Sequence, residues 1–94
     1  MNKILIVDDD QEFIAAFSTF LTGHGFAVLK AYDATLALKF ARKEAIDLMV
    51  LDLGLPAGGG QFVLTELRQT LSILRGFIFV THWYHYMLIP KSAL

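Results

Sequence analysis

The sequence has no cysteine among its 94 residues. Disulfides, thiolate chemistry and the usual structural zinc sites are therefore excluded, and a reducing compartment such as the cytoplasm is expected. Charge is scarce and balanced, with eight Lys and Arg against nine Asp and Glu and a net charge of -1. Without a basic surface to neutralise phosphates, a nucleic-acid partner is disfavoured. The length suits one domain.

Long hydrophobic runs are also missing. The apolar run at residues 4–7 ends at three aspartates and is too short for a secretion signal. The most apolar stretch, residues 76–90, is shorter than the roughly 18 residues that a spanning helix requires, so we expect no membrane span. Yet 55% of the residues are hydrophobic. Because a domain this small cannot bury them all, some are expected to lie exposed or to meet a partner.

Strand and helix signals alternate regularly along the chain. Two of the predicted helices follow an aspartate at a position typical of an N-cap, Asp10 and Asp33, and Gly76 is expected to end the third helix. Apolar runs of strand length separate the helical patterns. This order predicts an α/β fold in which helices cover a parallel sheet. The predicted strands are residues 4–7, 26–31, 46–51 and 77–80.

Residues 82–94 break the alternation and are too few for a crossover, a parallel strand and a further helix. We therefore expect a sheet of about four strands with three helices, and an atypical extended carboxyl-terminal segment. A bare fourth strand would be an unpaired edge. We expect the chain beyond it to run straight on into a second subunit, so that residues 77–89 form a homodimer contact. The chain is accordingly divided into a domain, residues 1–81, and an aromatic tail, residues 82–94.

Polar residues follow three of the predicted strands. Asp8 and Asp9 follow the first, Asp52 the third and Thr81 the fourth. Ligands of parallel sheets bind beyond the carboxyl ends of the strands. Two carboxylates about 5 Å apart repel by roughly 3 kcal/mol at an effective dielectric near 20, so such a cluster needs a cation, and oxygen ligands favour Mg²⁺. An aspartate beside Mg²⁺ is also a nucleophile toward phosphorus, which predicts phosphoryl transfer to a carboxylate.

Three motifs occur in order: Ile-Leu-Ile-Val-Asp-Asp-Asp at residues 4–10, Leu-Met-Val-Leu-Asp at residues 48–52 with Leu-Pro and Gly60 after it, and Phe-Val-Thr at residues 79–81. Over residues 2 to 81 the chain resembles the receiver domain of bacterial two-component response regulators, a family with a flavodoxin-like, doubly wound parallel sheet. The resemblance implies a phosphoacceptor that takes its phosphoryl group from a histidine kinase or a phosphotransfer protein. It implies no enzyme beyond self-catalysed phosphotransfer and autodephosphorylation.

The same resemblance implies a role for each site residue. Asp52 would accept the phosphoryl group and share a Mg²⁺ ion with the acidic pair. Asp9 would be a direct metal ligand, Asp8 would act largely through water, and the backbone carbonyl of Gly54 would be a further ligand. Thr81 would bind the phosphoryl group and help to switch the end of the sheet.

The end of the chain departs from the family pattern. Family members carry a lysine followed by proline at the end of a fifth strand, whereas Lys91 follows Pro90 and lies too few residues after Thr81. We interpret Lys91 as a tail residue and leave a role in the site, in cis or in trans, as the alternative. His82 stands where the family has a small residue, and the helix-strand-helix of the family's output surface is missing, so we expect an altered output.

Two other functions stay open. A degenerate receiver would bind no phosphate and act only as a dimerisation or sequestration module. A haloacid-dehalogenase-like phosphatase would use the Asp-x-Asp pattern within residues 8–10, but its lysine and second acidic pair are absent. His82 and His85 have no third ligand near them in the sequence, which favours packing over metal binding.

Overall fold

The computed structural model describes residues 2–69, 74–82 and 85–90, and the side chains of residues 2–67. Strands and helices alternate as far as the fourth strand. A single turn of 3₁₀ helix, Pro56–Gly58, precedes the third helix. The elements are β1 (Lys3–Val7), α1 (Gln11–Gly23), β2 (Ala27–Ala31), α2 (Ala34–Lys43), β3 (Ile46–Asp52), α3 (Gly59–Gln69), β4 (Leu74–His82) and β5 (His85–Pro90).

The described strands form one sheet in the order β2-β1-β3-β4-β5. The pairs β1–β2, β1–β3 and β3–β4 are parallel, while β5 runs antiparallel to β4. This is the flavodoxin-like strand order, in which the chain crosses from one side of β1 to the other and leaves a crevice between β1 and β3. The predicted α/β class and flavodoxin-like sheet are confirmed.

Helices cover both faces of the sheet because successive strand residues point to opposite sides. Leu5 and Met49 are fully buried in the core beneath α2 and α3. Ile6 and Val50, one residue further along each strand, pack instead with Ile14 of α1. The sheet is thus doubly wound, with one buried core on each face.

Both predicted N-caps are confirmed. The Phe13 N–H donates to Asp10 Oδ1 at 3.0 Å, and the Leu36 N–H donates to Asp33 Oδ1 at 2.8 Å. Each bond satisfies a backbone donor that the first helical turn would otherwise leave without a partner. The cap at Asp10 starts α1 directly after the acidic residues that follow β1.

The carboxyl-terminal part differs from the prediction. Gly76 does not end α3, which ends at Gln69, but lies within β4. The chain does not run straight on beyond β4 either: β5 returns beside it in the same sheet, with Thr81 opposite Tyr86 and Phe77 opposite Pro90. An antiparallel strand needs only a short connection, so β4 obtains its backbone partner within its own chain. Lys91 lies outside the described residues.

Apolar surface remains exposed on α1. Phe13 is 42% exposed and Phe20 is 59% exposed. The Phe20 ring lies 4.6 Å from the His24 ring, and the Phe13 ring lies 5.5 Å from that of Phe17. Part of the hydrophobic excess of the sequence is therefore on the outer side of this helix. In the described part of the chain, no helix has the length and hydrophobicity needed to cross a membrane.

Candidate functional site

The carboxyl ends of β1 and β3 bring three carboxylates together. Val7 pairs with Leu51 in the parallel register, so the next residues, Asp8 and Asp52, lie side by side. Oxygen atoms of Asp8, Asp9 and Asp52 all lie within 4.8 Å of one another. The three carboxylates thus converge, as the sequence predicts, at the crevice between β1 and β3.

Backbone hydrogen bonds orient two of these carboxylates. The Asp10 N–H donates to Asp8 Oδ1 at 2.9 Å, and the Gly54 N–H donates to Asp52 Oδ1 at 2.8 Å. Each bond spans two residues and fixes a carboxyl group relative to its own loop. One oxygen of each carboxylate is therefore held in place by the backbone.

The cluster is electrostatically strained. Asp8 and Asp52 are partly buried, and Asp9 is exposed. Burial raises the pKa of Asp8; the hydrogen bond from the Asp10 N–H opposes this, and the charges of Asp52, Asp9 and Asp10 raise it further. A cation between the carboxylates would offset both the burial of the Asp8 charge and the repulsion among the carboxylates. The donors are all oxygen, which is the set that hard divalent cations such as Mg²⁺ and Ca²⁺ prefer, so the residues fit such an ion.

The loop after Asp52 is held close to the end of β3. Ala57 and Gly58 both have positive φ, 56° and 71°, and α3 begins at the next residue. An ideal Cβ on Gly60 would lie 2.6 Å from the Asp52 carbonyl oxygen and 2.6 Å from Leu53 Cα. In the sequence Gly60 stands out only as a position of the motif, which does not indicate this close approach. The signal that could have found it is the run of glycines at residues 58–60.

A surface cavity of about 410 Å³ adjoins the cluster on the side of α2 and α3. Asp9 forms part of its lining, together with Leu55, Tyr32 and Phe62. The two aromatic side chains are 39% and 51% exposed. The sequence does not predict this cavity, because its walls come from segments that are far apart in the sequence, including the first turns of α2 and α3.

For two of the remaining predicted site residues, Thr81 and Lys91, the side chain lies outside the described part of the structure. Thr81 pairs through the backbone with Asp52, so its strand position adjoins the cluster, but its side chain is outside the described part. Lys91 is outside it altogether. His82 and His85 are opposite each other in the β4–β5 register, and their side chains are likewise outside the described part. Gly54 lies in the loop after β3, two residues from Asp52.

The fold and the acidic cluster together define a class of signalling domain. The family model of the response regulator receiver domain matches residues 4–87. The chain belongs to this family, whose members act in two-component systems and interact with histidine kinases or phosphotransfer proteins. Proteins of this family are signalling proteins and not classical enzymes. The family resemblance drawn from the motifs is confirmed.

Particular relatives and solved structures agree with this assignment. The regulatory protein VanRc of Enterococcus gallinarum is 46% identical over 68 residues, which are 72% of this chain and 29% of VanRc. The chain thus spans less than a third of the length of that relative. A response regulator of Burkholderia pseudomallei, solved with a phosphorylated aspartic acid, a calcium ion and citrate, has a TM-score of 0.77 at 26% identity, covering 90% of this chain and 49% of that one.

A second solved structure is that of the response regulator TrrA from Thermotoga maritima in complex with Mg²⁺-BeF. Its TM-score is 0.77 at 27% identity, and the match covers 89% of this chain and 71% of TrrA. Both solved structures therefore hold a divalent metal ion.

Proposed function

We propose that this receiver domain accepts a phosphoryl group on Asp52 in a Mg²⁺-dependent reaction. The observation that carries the proposal is the cluster of three carboxylate oxygens within 4.8 Å of one another at the crevice between β1 and β3. A phosphorylated aspartic acid in the similar Burkholderia protein and Mg²⁺-BeF in TrrA support it.

Asp52 is the nucleophile in this account. The Gly54 N–H bond at 2.8 Å holds one carboxylate oxygen, so the orientation of the group is set before a donor arrives. A carboxylate oxygen forms a bond to phosphorus, and the bond from phosphorus to the donor's nitrogen breaks. The leaving imidazole of a histidine donor keeps the electron pair and takes up a proton.

The acidic pair and the loop after β3 would hold the metal. Asp9 would be a direct ligand and Asp8 would act largely through water, while Asp52 and the backbone carbonyl of Gly54 would complete the protein ligands. When bound, Mg²⁺ neutralises charge on the transferring phosphoryl oxygens. Thr81 binds the phosphoryl group and switches the end of the sheet, which is supported by its backbone pairing with Asp52.

Intact-mass measurement tests the proposal. The full chain is incubated with Mg²⁺ and phosphoramidate, which also carries phosphorus bonded to nitrogen. The wild type is expected to gain one phosphoryl group, whereas Asp52→Ala and the wild type in excess EDTA are not. A modified Asp52→Ala variant would contradict the assignment. An unmodified wild type would favour the degenerate receiver, which takes no phosphate.

The edge of the sheet supports a second proposal, a homodimer in which the β5 part of residues 77–89 makes the contact, because β4 is already paired on both sides. In the described sheet β5 is the outermost strand beside β4, and His85–Pro90 contains no Asp, Glu, Lys or Arg that would discourage pairing with another edge. Two copies related by a two-fold axis can pair such edges antiparallel. The tail, residues 82–94, is then a dimer contact that replaces the family's usual output surface. A sedimentation-equilibrium experiment that finds only monomer at micromolar concentration would exclude this dimer.

A further inference from the structure

We propose that Gly60 is a positioning residue for Asp52, acting through the space that its missing side chain leaves. The proposal rests on the assignment of Asp52 as the phosphoacceptor. The first turn of α3 packs directly on the last residue of β3, and a Cβ on Gly60 would lie 2.6 Å from both the Asp52 carbonyl oxygen and Leu53 Cα. Both of these atoms belong to the backbone, so no side-chain rotation can move them away.

Space, and not backbone conformation, makes glycine necessary at this position. Positive φ among the described glycines occurs at Gly25 and Gly58, so Gly60 has a φ that alanine adopts without strain. An alanine here would even gain helix propensity, because glycine is less favourable than alanine within a helix. The close contact with the end of β3 therefore opposes a substitution that the helix itself favours.

The effect of a side chain at position 60 depends on how far the backbones of α3 and the end of β3 would have to separate. Restoring an ordinary separation of about 3.5 Å from 2.6 Å would move the two backbones apart by about 0.9 Å. Functional groups have to be held to within about 0.5 Å of their productive positions. The displaced segment includes Asp52 itself, and the loop that it enters carries the Gly54 N–H that bonds its carboxylate. We infer that a side chain at position 60 misplaces the carboxylate rather than merely loosening α3.

The preceding residue provides a matched control. Gly59 starts the same helix with a φ of -59° and a ψ of -36°, which suit alanine. A Cβ there would lie 3.3 Å from Leu55 Cβ and 3.4 Å from Ala34 Cβ, so the neighbouring residues would have to move by only a few tenths of an ångström. Gly59→Ala and Gly60→Ala thus make the same chemical change one residue apart and differ in the displacement they require, a few tenths of an ångström against about 0.9 Å.

The test compares three measurements on the wild type and the two variants. These are the free energy of unfolding in urea, the Mg²⁺ dissociation constant followed by the Asp52 and Gly54 amide signals in NMR spectra, and the rate of phosphorylation by phosphoramidate. Gly60→Ala is expected to shift both amide signals without metal, to weaken Mg²⁺ binding at least tenfold and to slow phosphorylation at least tenfold. Gly59→Ala is expected to stay within twofold of the wild type in both binding and rate.

The outcomes separate this inference from the proposed function. Unshifted amide signals and Mg²⁺ binding within twofold of the wild type in folded Gly60→Ala would overturn the positioning role, whatever the phosphorylation result. A wild type that takes up no phosphoryl group would overturn the role of Asp52. The amide signals and the Mg²⁺ dissociation constant would then still test whether Gly60 positions the Asp52 carboxylate. If Gly60→Ala unfolds in buffer, it is measured in sucrose, which favours the compact state. Failure to fold there too would make Gly60 a general packing residue and overturn the proposal.

Discussion

Replacing Asp8 by asparagine should stabilise the metal-free protein. The substitution removes one negative charge from the cluster and keeps Oδ1 as an acceptor for the Asp10 N–H, which donates to it at 2.9 Å. The shape of the side chain is almost unchanged. Any gain in stability therefore reports the charge of Asp8 and the cost of its burial.

The magnitude follows from the geometry. The oxygens of Asp8, Asp9 and Asp52 lie within 4.8 Å of one another, so the substitution removes two of three repulsive pairs. One pair at 4.8 Å costs about 0.9 kcal/mol at the dielectric of water and about 3.5 kcal/mol at an effective value of 20. Since Asp9 is exposed and screened, the lower part of this range applies, and we expect a total gain of about 1–3 kcal/mol at pH 7.

The gain should depend on pH. The pKa of Asp8 is raised in the folded protein above its ordinary value of 3.8, chiefly by burial. The folded state therefore binds this proton more tightly than the unfolded state does. The stability contributed by protonation is complete below the ordinary pKa and is lost as the pH rises through the raised pKa. The difference between Asp8→Asn and the wild type should thus be largest at neutral pH and disappear toward pH 3.8.

Urea unfolding in EDTA between pH 4 and 7 measures this difference, with Asp10→Asn as the control. Asn is as good an N-cap as Asp, and Asp10 is outside the close trio, so the control should change stability by less than about 1 kcal/mol. Saturating Mg²⁺ should reverse the order, because the ion stabilises the wild type more than a variant that lacks one carboxylate. An Asp8→Asn variant no more stable than the wild type in EDTA at pH 7 would refute the electrostatic account.

Two further substitutions test the packing and the caps. Ile14→Ala, at a fully buried position of α1, should cost about 2–5 kcal/mol in urea unfolding, whereas Phe20→Ala, at a side chain that is 59% exposed, should cost less than about 1 kcal/mol; equal costs would contradict the assignment of the α1 core face. Asp33→Ala should lower the free energy of unfolding by about 1 kcal/mol through loss of the bond from the Leu36 N–H, and Asp33→Asn should leave it nearly unchanged; equal losses in both would exclude the capping role.

Local signals were sufficient for most of the fold. The apolar runs that became β1 and β3 are bounded by aspartates, and the caps at Asp10 and Asp33 lie at the helix starts that the sequence indicated. The carboxylate cluster could also be predicted, because parallel strands end at one edge of the sheet. The order of the motifs identified the family, since each motif alone is common.

Non-local contacts account for what the sequence did not predict. The return of β5 beside β4 depends on pairing between strands, and an extended apolar segment carries the same composition whether it pairs in cis or in trans. Glycine interrupts helices, which predicts a helix end at Gly76, yet Gly76 lies inside β4. The role of Gly60 depends on how closely α3 approaches β3, a distance that no residue pattern encodes.

Trapping the product tests most directly whether Asp52 accepts the phosphoryl group. Borohydride reduces an acyl phosphate to an alcohol with release of phosphate and would convert a phosphorylated aspartate to homoserine. After incubation with phosphoramidate and Mg²⁺, peptide mass spectrometry should find homoserine at position 52 and should find none when EDTA is present. Homoserine at position 8 or 9 instead, or at no position of the wild type, would contradict the account.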